Sequence, residues 1–359
     1  MIVIKNSDAF YLEDGRIFID VNKMQEALKD QVITITDSYG LSRMDNVIDT
    51  RILFWLGDNF SQRDFYKFTS KEDYKKIFED LKTKLMYHKN YVEQAKILTK
   101  LYLMINKNHT FEINRPFFRK LKSYYSLKDN TRSKFEKYNY DGMENLEDIK
   151  KGIQYEFTTS AGKIIEKGFN ISKFDRKRYI GLFKPRNDCR YYILDFSEFE
   201  PSCLNFYIKD FISEGFYLMN AENYSITRKE FKKLFIAWLY GATEKKLGAY
   251  LELFRRDFPE VEELRKSLKS SRIQNVFGTV LNVDRDYKKM NYLVASTAGD
   301  VTKKIHVGLY NSGILHEGFR LIFSLFDEFL IEVSPGKSIE DIKKYFEIYD
   351  FIKIKVQEV

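Results

Sequence analysis

The sequence predicts an α+β fold, an antiparallel sheet packed with helices and joined to a small N-terminal α/β region. Three observations lead there. Two apolar runs, Tyr191–Pro201 and Leu321–Val333, read as buried strands, and each ends or turns on carboxylates: Asp195 in the first, Asp327 and Glu328 in the second. Long segments before and between them repeat their apolar residues at helical spacing. Over the first 88 residues, short strand-like runs alternate with helical ones.

Composition narrows the function classes. A chain of 359 residues can form two or three domains, or one large domain with lobes, and its 44% hydrophobic content fits a globular protein. The net charge of +8 and pI of about 9.0 favour an anionic partner, nucleic acid being the commonest. Cys189 and Cys203 make neither a disulfide framework nor a zinc site, which points to a reducing cytoplasm. His88, His109, His306 and His316 never fall at i, i+4, so a metal site would be built from carboxylates and would favour Mg²⁺ or Mn²⁺. No apolar run approaches the roughly 20 residues that span a bilayer, and no signal peptide opens the chain.

In chain order, Met1–Ile4, Arg16–Asp20 and Val32–Thr36 read as strands, and Asn22–Lys29 and Lys71–Met86 as helices. Arg51–Leu56 is an apolar run that fits either type. A carboxylate-dependent nuclease places an Asp-x-Glu pair on an early strand. The first hundred residues contain none, so residues 1–88 are read as accessory and non-catalytic. Tyr91–Ile105 and Asn114–Tyr125 follow as helices, the second basic, with a polar stretch over 126–150. That pair suits either a nucleic-acid backbone or a solvated helical hairpin. The hydroxyl and basic residues between Tyr155 and Phe183, Arg178 among them, suit phosphate positioning.

Phe206–Asn223 reads as a helix. Arg228–Gly241 reads as another, capped by Thr227 or Ser225 and ended by Gly241. Arg228, Lys232, Ile236 and Tyr240 lie four apart and share one face, running from cations through an apolar patch to an aromatic ring. Such a face can hold a nucleotide triphosphate, with cations on the phosphates and flat groups on base and sugar. It also fits an ordinary amphipathic helix with a basic edge. Thr243–Phe254 and Val261–Lys269 are further helices, broken at Pro259. Val276–Val283 is a strand or hairpin, Asn291–Ser312 a long helix, Ser338–Tyr349 a closing helix and Phe351–Val356 a last strand.

Leu321–Val333 is apolar on both sides of Asp327-Glu328, a pattern for a hairpin with the acidic pair at its turn. If that turn abuts the end of the first acidic strand, Asp195 and Asp327 face each other. Like charges so placed raise each other's pKa unless cations intervene. Two divalent ions about 3.5–4 Å apart would hold both ionised and could serve an in-line phosphoryl displacement. A solvated acidic turn is the alternative.

Taken together, these segments resemble the polymerase region of family A DNA polymerases, the bacterial DNA polymerase I type. Asp195-Phe196-Ser197-Glu198-Phe199-Glu200 is similar to the family's Asp-Tyr-Ser-Gln-Ile-Glu. Arg228, Lys232 and Tyr240-Gly241 match Arg-x3-Lys-x7-Tyr-Gly, and Leu325-Phe326-Asp327-Glu328 resembles Val-His-Asp-Glu. Asn291 with Thr297-Ala298-Gly299-Asp300 and Lys303-Lys304 resembles the helix between them. The resemblance covers roughly residues 155–356, with thumb-like similarity from about 90.

The resemblance implies a right-hand polymerase with an antiparallel-sheet palm (155–210 and 285–359), helical fingers (211–284) and helical thumb (89–154); a family proofreading exonuclease would not fit in the first 88 residues. Asp195 and Asp327 would be the metal-binding catalytic carboxylates, with the Phe196 carbonyl as a further ligand and Glu328 a secondary acid near the primer end. Arg228 and Lys232 would grip the triphosphate, Lys232 protonating the leaving pyrophosphate. Glu200 would exclude a 2′-hydroxyl, and Tyr240 would stack at the templating position. Arg178, Asn291 and Lys303 are the candidate DNA contacts. The sequence departs from the family at Ile236 (usually aromatic), Phe326 (usually His) and Ala295 (usually Gln). The leading expectation is a DNA polymerase that uses primer-template DNA, dNTPs and Mg²⁺ or Mn²⁺. It would act in the cytoplasm of a bacterium, encoded by the host, a phage or a plasmid. A primase or RNA-synthesising relative and a non-catalytic DNA-binding replication subunit are the alternatives.

Overall fold

The computed structural model describes residues 188–325 and 327–359 throughout. Before these it describes 2–5, 10–12, 16–18, 21–28, 33–35, 47–49, 74–87, 93, 95–101, 153–157, 164–168 and 185–186. Arg178, Phe326, the Asn114–Tyr125 segment and the Arg51–Leu56 run lie outside the described residues.

The N-terminal region is a five-stranded mixed sheet. Its strands are β1 (Ile2–Lys5), β2 (Phe10–Leu12), β3 (Ile17–Phe18), β4 (Ile33–Ile35) and β5 (Val47–Asp49), in the order β3-β2-β1-β4-β5. β1 runs antiparallel to β2 and parallel to β4, and β4 runs parallel to β5. The helix Val21–Ala27 lies between β3 and β4 in the chain, the long connection a parallel pair requires. Helix Tyr74–Tyr87 buries Ile77, Phe78 and Leu81, as its apolar spacing predicts. The described part of the next predicted helix buries Ala95, Leu98 and Leu101. Its Thr99 hydroxyl accepts the Asp49 backbone N–H at 3.0 Å, tying β5 to it. β6 (Ile153–Phe157) and β7 (Ile164–Gly168) form an antiparallel hairpin.

The centre of the C-terminal half is a four-stranded antiparallel sheet. It contains β8 (Arg190–Phe196), β11 (Phe319–Leu325), β12 (Glu328–Val333) and β13 (Ile354–Glu358), in the order β11-β12-β8-β13. The predicted last strand thus adds to the edge beside β8. Burying Ile193, Leu194, Leu321, Phe323, Phe329, Leu330 and Ile331 supplies the sheet's apolar driving force. The long helix Lys289–Asn311 packs on it, and His306 on that helix meets Ser324 of β11 at 3.0 Å and the Phe329 ring edge-on. Burial pushes the His306 imidazole down to about 3, so it sits there neutral.

Several predicted elements are shorter than their apolar pattern. The first acidic strand stops at Phe196. Glu198 then adopts a left-handed conformation (φ 55°) and Phe199–Ser202 turns helical, so Glu200 lies on a helical turn and not at the strand end. Within Phe206–Asn223, only Phe216–Asn223 is an α-helix, set off by positive φ at Asp210 and Gly215. Thr243–Phe254 is broken by Gly248 (φ 56°) into Glu244–Leu247 and Tyr250–Asp257. Helix Pro259–Ser267 follows with Pro at its first position, where the missing N–H does no harm. The expected strand or hairpin is a hairpin of β9 (Arg272–Gln274) and β10 (Val280–Asn282). In the closing segment only Ile339–Lys343 is α-helical, capped by Ser338.

The helix Arg228–Leu239 follows its prediction most closely. Thr227 and Glu230 form a reciprocal capping box, with Glu230 N–H donating to the Thr227 hydroxyl at 3.2 Å and Thr227 N–H to the Glu230 carboxylate at 3.0 Å. Phe231, Phe235, Trp238 and Leu239 form its buried face, against Phe216, Phe254 and Phe258. The helix ends on Gly241 at φ 81°, where a Cβ would lie 2.5 Å from the Tyr287 carbonyl oxygen. Positive φ and a backbone collision both oppose a side chain there, so Gly241→Ala should destabilise the protein by roughly 2–4 kcal/mol in denaturant unfolding. Unchanged stability would show that the helix end and the Tyr287 segment do not pack this closely.

Candidate active site

Sheet register builds the acidic part of the site. In the β8–β12 pairing Asp195 lies opposite Glu328 and Leu194 opposite Phe329. The β11–β12 turn then carries Asp327 over the end of β8, where the Phe196 N–H donates to the Asp327 carbonyl at 2.9 Å. Phe196 itself is buried, stacked on Phe199 at 4.7 Å and edge-on to Phe329 at 5.9 Å. The two acidic runs, 132 positions apart at Asp195 and Asp327, therefore meet at one sheet end.

Electrostatics at that end is unfavourable without a cation. Burial raises the Asp327 carboxyl to about 6; the charges of Asp195 and Glu200 add to the rise, and Lys232 opposes it. Asp327 thus feels residues from the first acidic segment and from the Arg228 helix, which places all three in one site. Two carboxylates coupled by charge, at a strand end that also offers backbone carbonyls, have the oxygen-donor chemistry that Mg²⁺ or Mn²⁺ requires. Among the described residues no cluster of three or more His, Cys, Asp or Glu side chains stands ready-made for a metal. The fit therefore rests on Asp195, Asp327 and a backbone oxygen.

The helix Arg228–Leu239 supplies the cationic wall. An exposed groove of about 850 Å³ runs along it, lined by Lys229, Lys232, Lys233, Ile236, Tyr240 and Tyr287, among others. Lys229 and Lys233 repeat the i, i+4 spacing of Arg228 and Lys232 one residue on, so the sequence itself carries this second pair of cations. Tyr240 is the helix C-cap, and its hydroxyl donates to a Glu200 carboxylate oxygen. Burial and the Glu200 charge hold the Tyr240 phenol well above its ordinary range, so it remains a donor. Tyr240, expected to stack at a templating position, also holds Glu200 through its hydroxyl.

Arg228 approaches Glu198 at 3.5 Å, and the same carboxylate oxygen accepts the Tyr217 N–H at 3.3 Å. The carboxylate of Glu198 is almost fully buried while Arg228 remains half-exposed. Sequence reasoning gave Glu198 no role, although the family motif has a neutral Gln there. Arg228 and Lys232 also lie over the Tyr217 ring, 5.7 and 5.6 Å from its centroid.

Two of the candidate DNA contacts, Asn291 and Lys303, lie on the long helix. Asn291 lies near the start of the long helix and is half-buried. Lys303, about 18 Å further along by helical rise, is buried and pairs with Asp300 at 2.5 Å. Asp300 also accepts from Asn275 at 2.6 Å and Thr279 at 2.8 Å, a network that joins the β9–β10 hairpin to the helix. Ala295 is fully buried.

No protein-family model matches the sequence, and no curated protein matches it. The fold has solved counterparts. The POL domain of Pol1 from M. smegmatis, in complex with DNA primer-template and dNTP, superposes with a TM-score of 0.71 at 12% identity, covering 98% of this chain and 91% of that one. The chain therefore has the fold of that polymerase domain, in agreement with the resemblance carried by its motifs. No helix among the described residues is long and apolar enough to cross a membrane.

The raised Asp327 carboxyl gives a signed prediction. Its folded value, about 6, exceeds the ordinary 3.8, so the fold binds this proton more tightly than the unfolded chain does. The penalty is absent below about pH 4, grows as pH rises toward 6 and is complete above it. In metal-free protein, Asp327→Asn should stabilise by about 2–3 kcal/mol at pH 7.5 and by nothing near pH 4. Thermal melts across that range, with and without Mg²⁺, check this. Mg²⁺ should raise the wild-type melting temperature and leave that of the variant unchanged.

Proposed function

We infer that the chain is a DNA-templated DNA polymerase that adds dNTPs to a primer 3′-hydroxyl. The observation that carries this is the meeting of Asp195, Asp327 and Glu200 within electrostatic reach of Lys232. They meet on a fold shared with a polymerase domain solved with primer-template and dNTP. In this reading residues 155–210 and 285–359 are the palm, 211–284 the fingers and 89–154 the thumb, with 1–88 accessory.

Asp195, Asp327 and the Phe196 carbonyl would hold Mg²⁺ or Mn²⁺. When bound, such ions neutralise charge on the reacting phosphate and favour the alkoxide form of the attacking hydroxyl. The reaction forms a bond from the primer 3′-oxygen to the α-phosphorus and breaks the bond from that phosphorus to the bridging oxygen of the leaving pyrophosphate. Arg228 leaves Glu198 and, with Lys232, grips the triphosphate. A guanidinium suits bidentate contact with phosphate, while an ammonium can also transfer a proton. Lys232 is placed to protonate the pyrophosphate as it departs. Glu200, fixed by the Tyr240 hydroxyl, lies against the sugar and excludes a 2′-hydroxyl. Glu328, opposite Asp195, faces the primer end. Ile236 offers the nucleotide an apolar but non-aromatic surface. Arg178 and Asn291 are proposed to contact the DNA, whereas Lys303, buried against Asp300, would act on the helix that carries Asn291.

Primer extension by the purified chain tests the reading. Asp195→Ala and Asp327→Ala should each lower extension by at least about a thousandfold while leaving primer-template binding intact. Wild-type binding without extension under Mg²⁺ or Mn²⁺ would identify a non-catalytic DNA-binding subunit instead. A separate measurement addresses the sugar. Glu200→Ala should raise the ratio of rNTP to dNTP incorporation at least about tenfold, and preferential rNTP use by the wild type would identify an RNA-synthesising relative.

A further inference from the structure

Arg265 reaches the C-terminal end of the Arg228–Leu239 helix from outside it. It sits on helix Pro259–Ser267, and its guanidinium donates to the Trp238 carbonyl at 3.0 Å and to the Leu239 carbonyl at 3.5 Å. The same guanidinium lies over the Trp238 ring, 5.1 Å from its centroid, and is oriented by an ion pair with Glu262 one turn earlier. The helix does not need this contact in order to end. Ala242 N–H bonds to the Ala237 carbonyl and Gly241 N–H to the Trp238 carbonyl, both at 2.9 Å, with Gly241 at φ 81°, which completes a glycine-terminated cap. Arg265 adds cationic donors at the negative end of the helix and joins that end to a second helix. A guanidinium presents its donors in a rigid fork and stacks on an indole, so it fixes a position where a lysine would chiefly supply charge. The residue directly after the two carbonyls is Tyr240, whose hydroxyl holds Glu200.

We propose that Arg265 is a positioning residue for sugar selection. It fixes the last turn of the Arg228 helix, that turn fixes the Tyr240 hydroxyl, and the hydroxyl holds the Glu200 carboxylate against the sugar of the incoming nucleotide. This rests on the polymerase reading and on Glu200 as its sugar filter. A filter made of one carboxylate discriminates only while it cannot swing away from a 2′-hydroxyl, and slack of about 1 Å is enough to lose much of that discrimination. The Tyr240 bond alone does not remove the slack, because the tyrosine moves with the helix end that carries it. Tying that end to helix Pro259–Ser267 does.

Arg265→Met keeps an unbranched side chain against Trp238 and removes every donor. The measurement is primer extension by the full chain with an rNTP and with the matching dNTP, read as the ratio of their kcat/KM values. The variant should raise the rNTP to dNTP ratio about fivefold. Arg265→Lys, which retains the charge and can still donate to a carbonyl, should fall between variant and wild type, and it carries the test if the methionine variant does not fold. In a Tyr240→Phe background, where the bond to Glu200 is already lost, Arg265→Met should leave the ratio unchanged. A lowered melting temperature with an unchanged ratio would overturn the proposal, showing a contact that only stabilises the helix end, and would leave the polymerase reading intact. Effects of Arg265→Met and Tyr240→Phe that simply multiply would overturn it as well, since Arg265 would then not act through Tyr240. Failure of the wild type to extend the primer, or extension without preference for the dNTP, would overturn the polymerase or the filter reading itself, and this proposal with it.

Discussion

The site depends on one forced proximity: two carboxylates held against each other at the end of a buried sheet. Neither side chain chooses this position. Backbone register sets it, through the pairing of Asp195 with Glu328 and the Phe196 N–H bond to the Asp327 carbonyl. A one-residue slip would turn every side chain of β8 to the other face. A slip would also put Asp195 where the buried Leu194 or Phe196 now packs, so the core that stabilises the sheet also enforces the repulsion. Burial first, and the Asp195 charge second, raise the Asp327 carboxyl, and a bound cation would offset both.

The second half of the site is built by different means. Arg228, Lys232 and Tyr240 are positioned by a capped helix whose opposite face is buried in aromatic rings. Its cations reach the acidic end through electrostatics, while Tyr240 reaches it by a hydrogen bond to Glu200. The residue read as the sugar filter thus belongs to the acidic segment but is held by the helix. Movement of the helix would therefore shift Arg228, Lys232 and Glu200 together. The close contact of Gly241 with the Tyr287 carbonyl ties the same helix end to the segment that starts the long helix.

What was legible in the sequence follows physical locality. The acidic hairpin, the Arg228 helix and the long helix each carry their own apolar pattern, the Arg228 helix its cap as well, and they lie where the pattern put them. The strand after Phe196 was read too long because Phe199 and Pro201 continue the apolar composition, while the left-handed turn at Glu198 is a backbone choice that composition does not encode. Arg265 was invisible because it looks like any basic residue on a charged helix. Its meaning comes from two backbone carbonyls that only tertiary packing brings to it. The order of the N-terminal sheet was likewise unreadable, since parallel pairing of β1 with β4 is a non-local event between very short strands.

The far end of β12 bears on all of this. Glu332, completely buried four residues from Glu328, is held by Arg186 at 2.6 Å and Arg320 at 3.1 Å. Removing either arginine would leave part of a buried charge uncompensated, so this three-residue cluster resists disturbance. Mechanically, the acidic hairpin is a cantilever, clamped at its base by fixed charge and loaded at its tip, about 14 Å away, by mutual repulsion. A beam anchored in this way keeps its tip in register while the opposing wall moves. The carboxylates proposed to be catalytic are then a fixed reference for the Arg228 helix on the other side of the site.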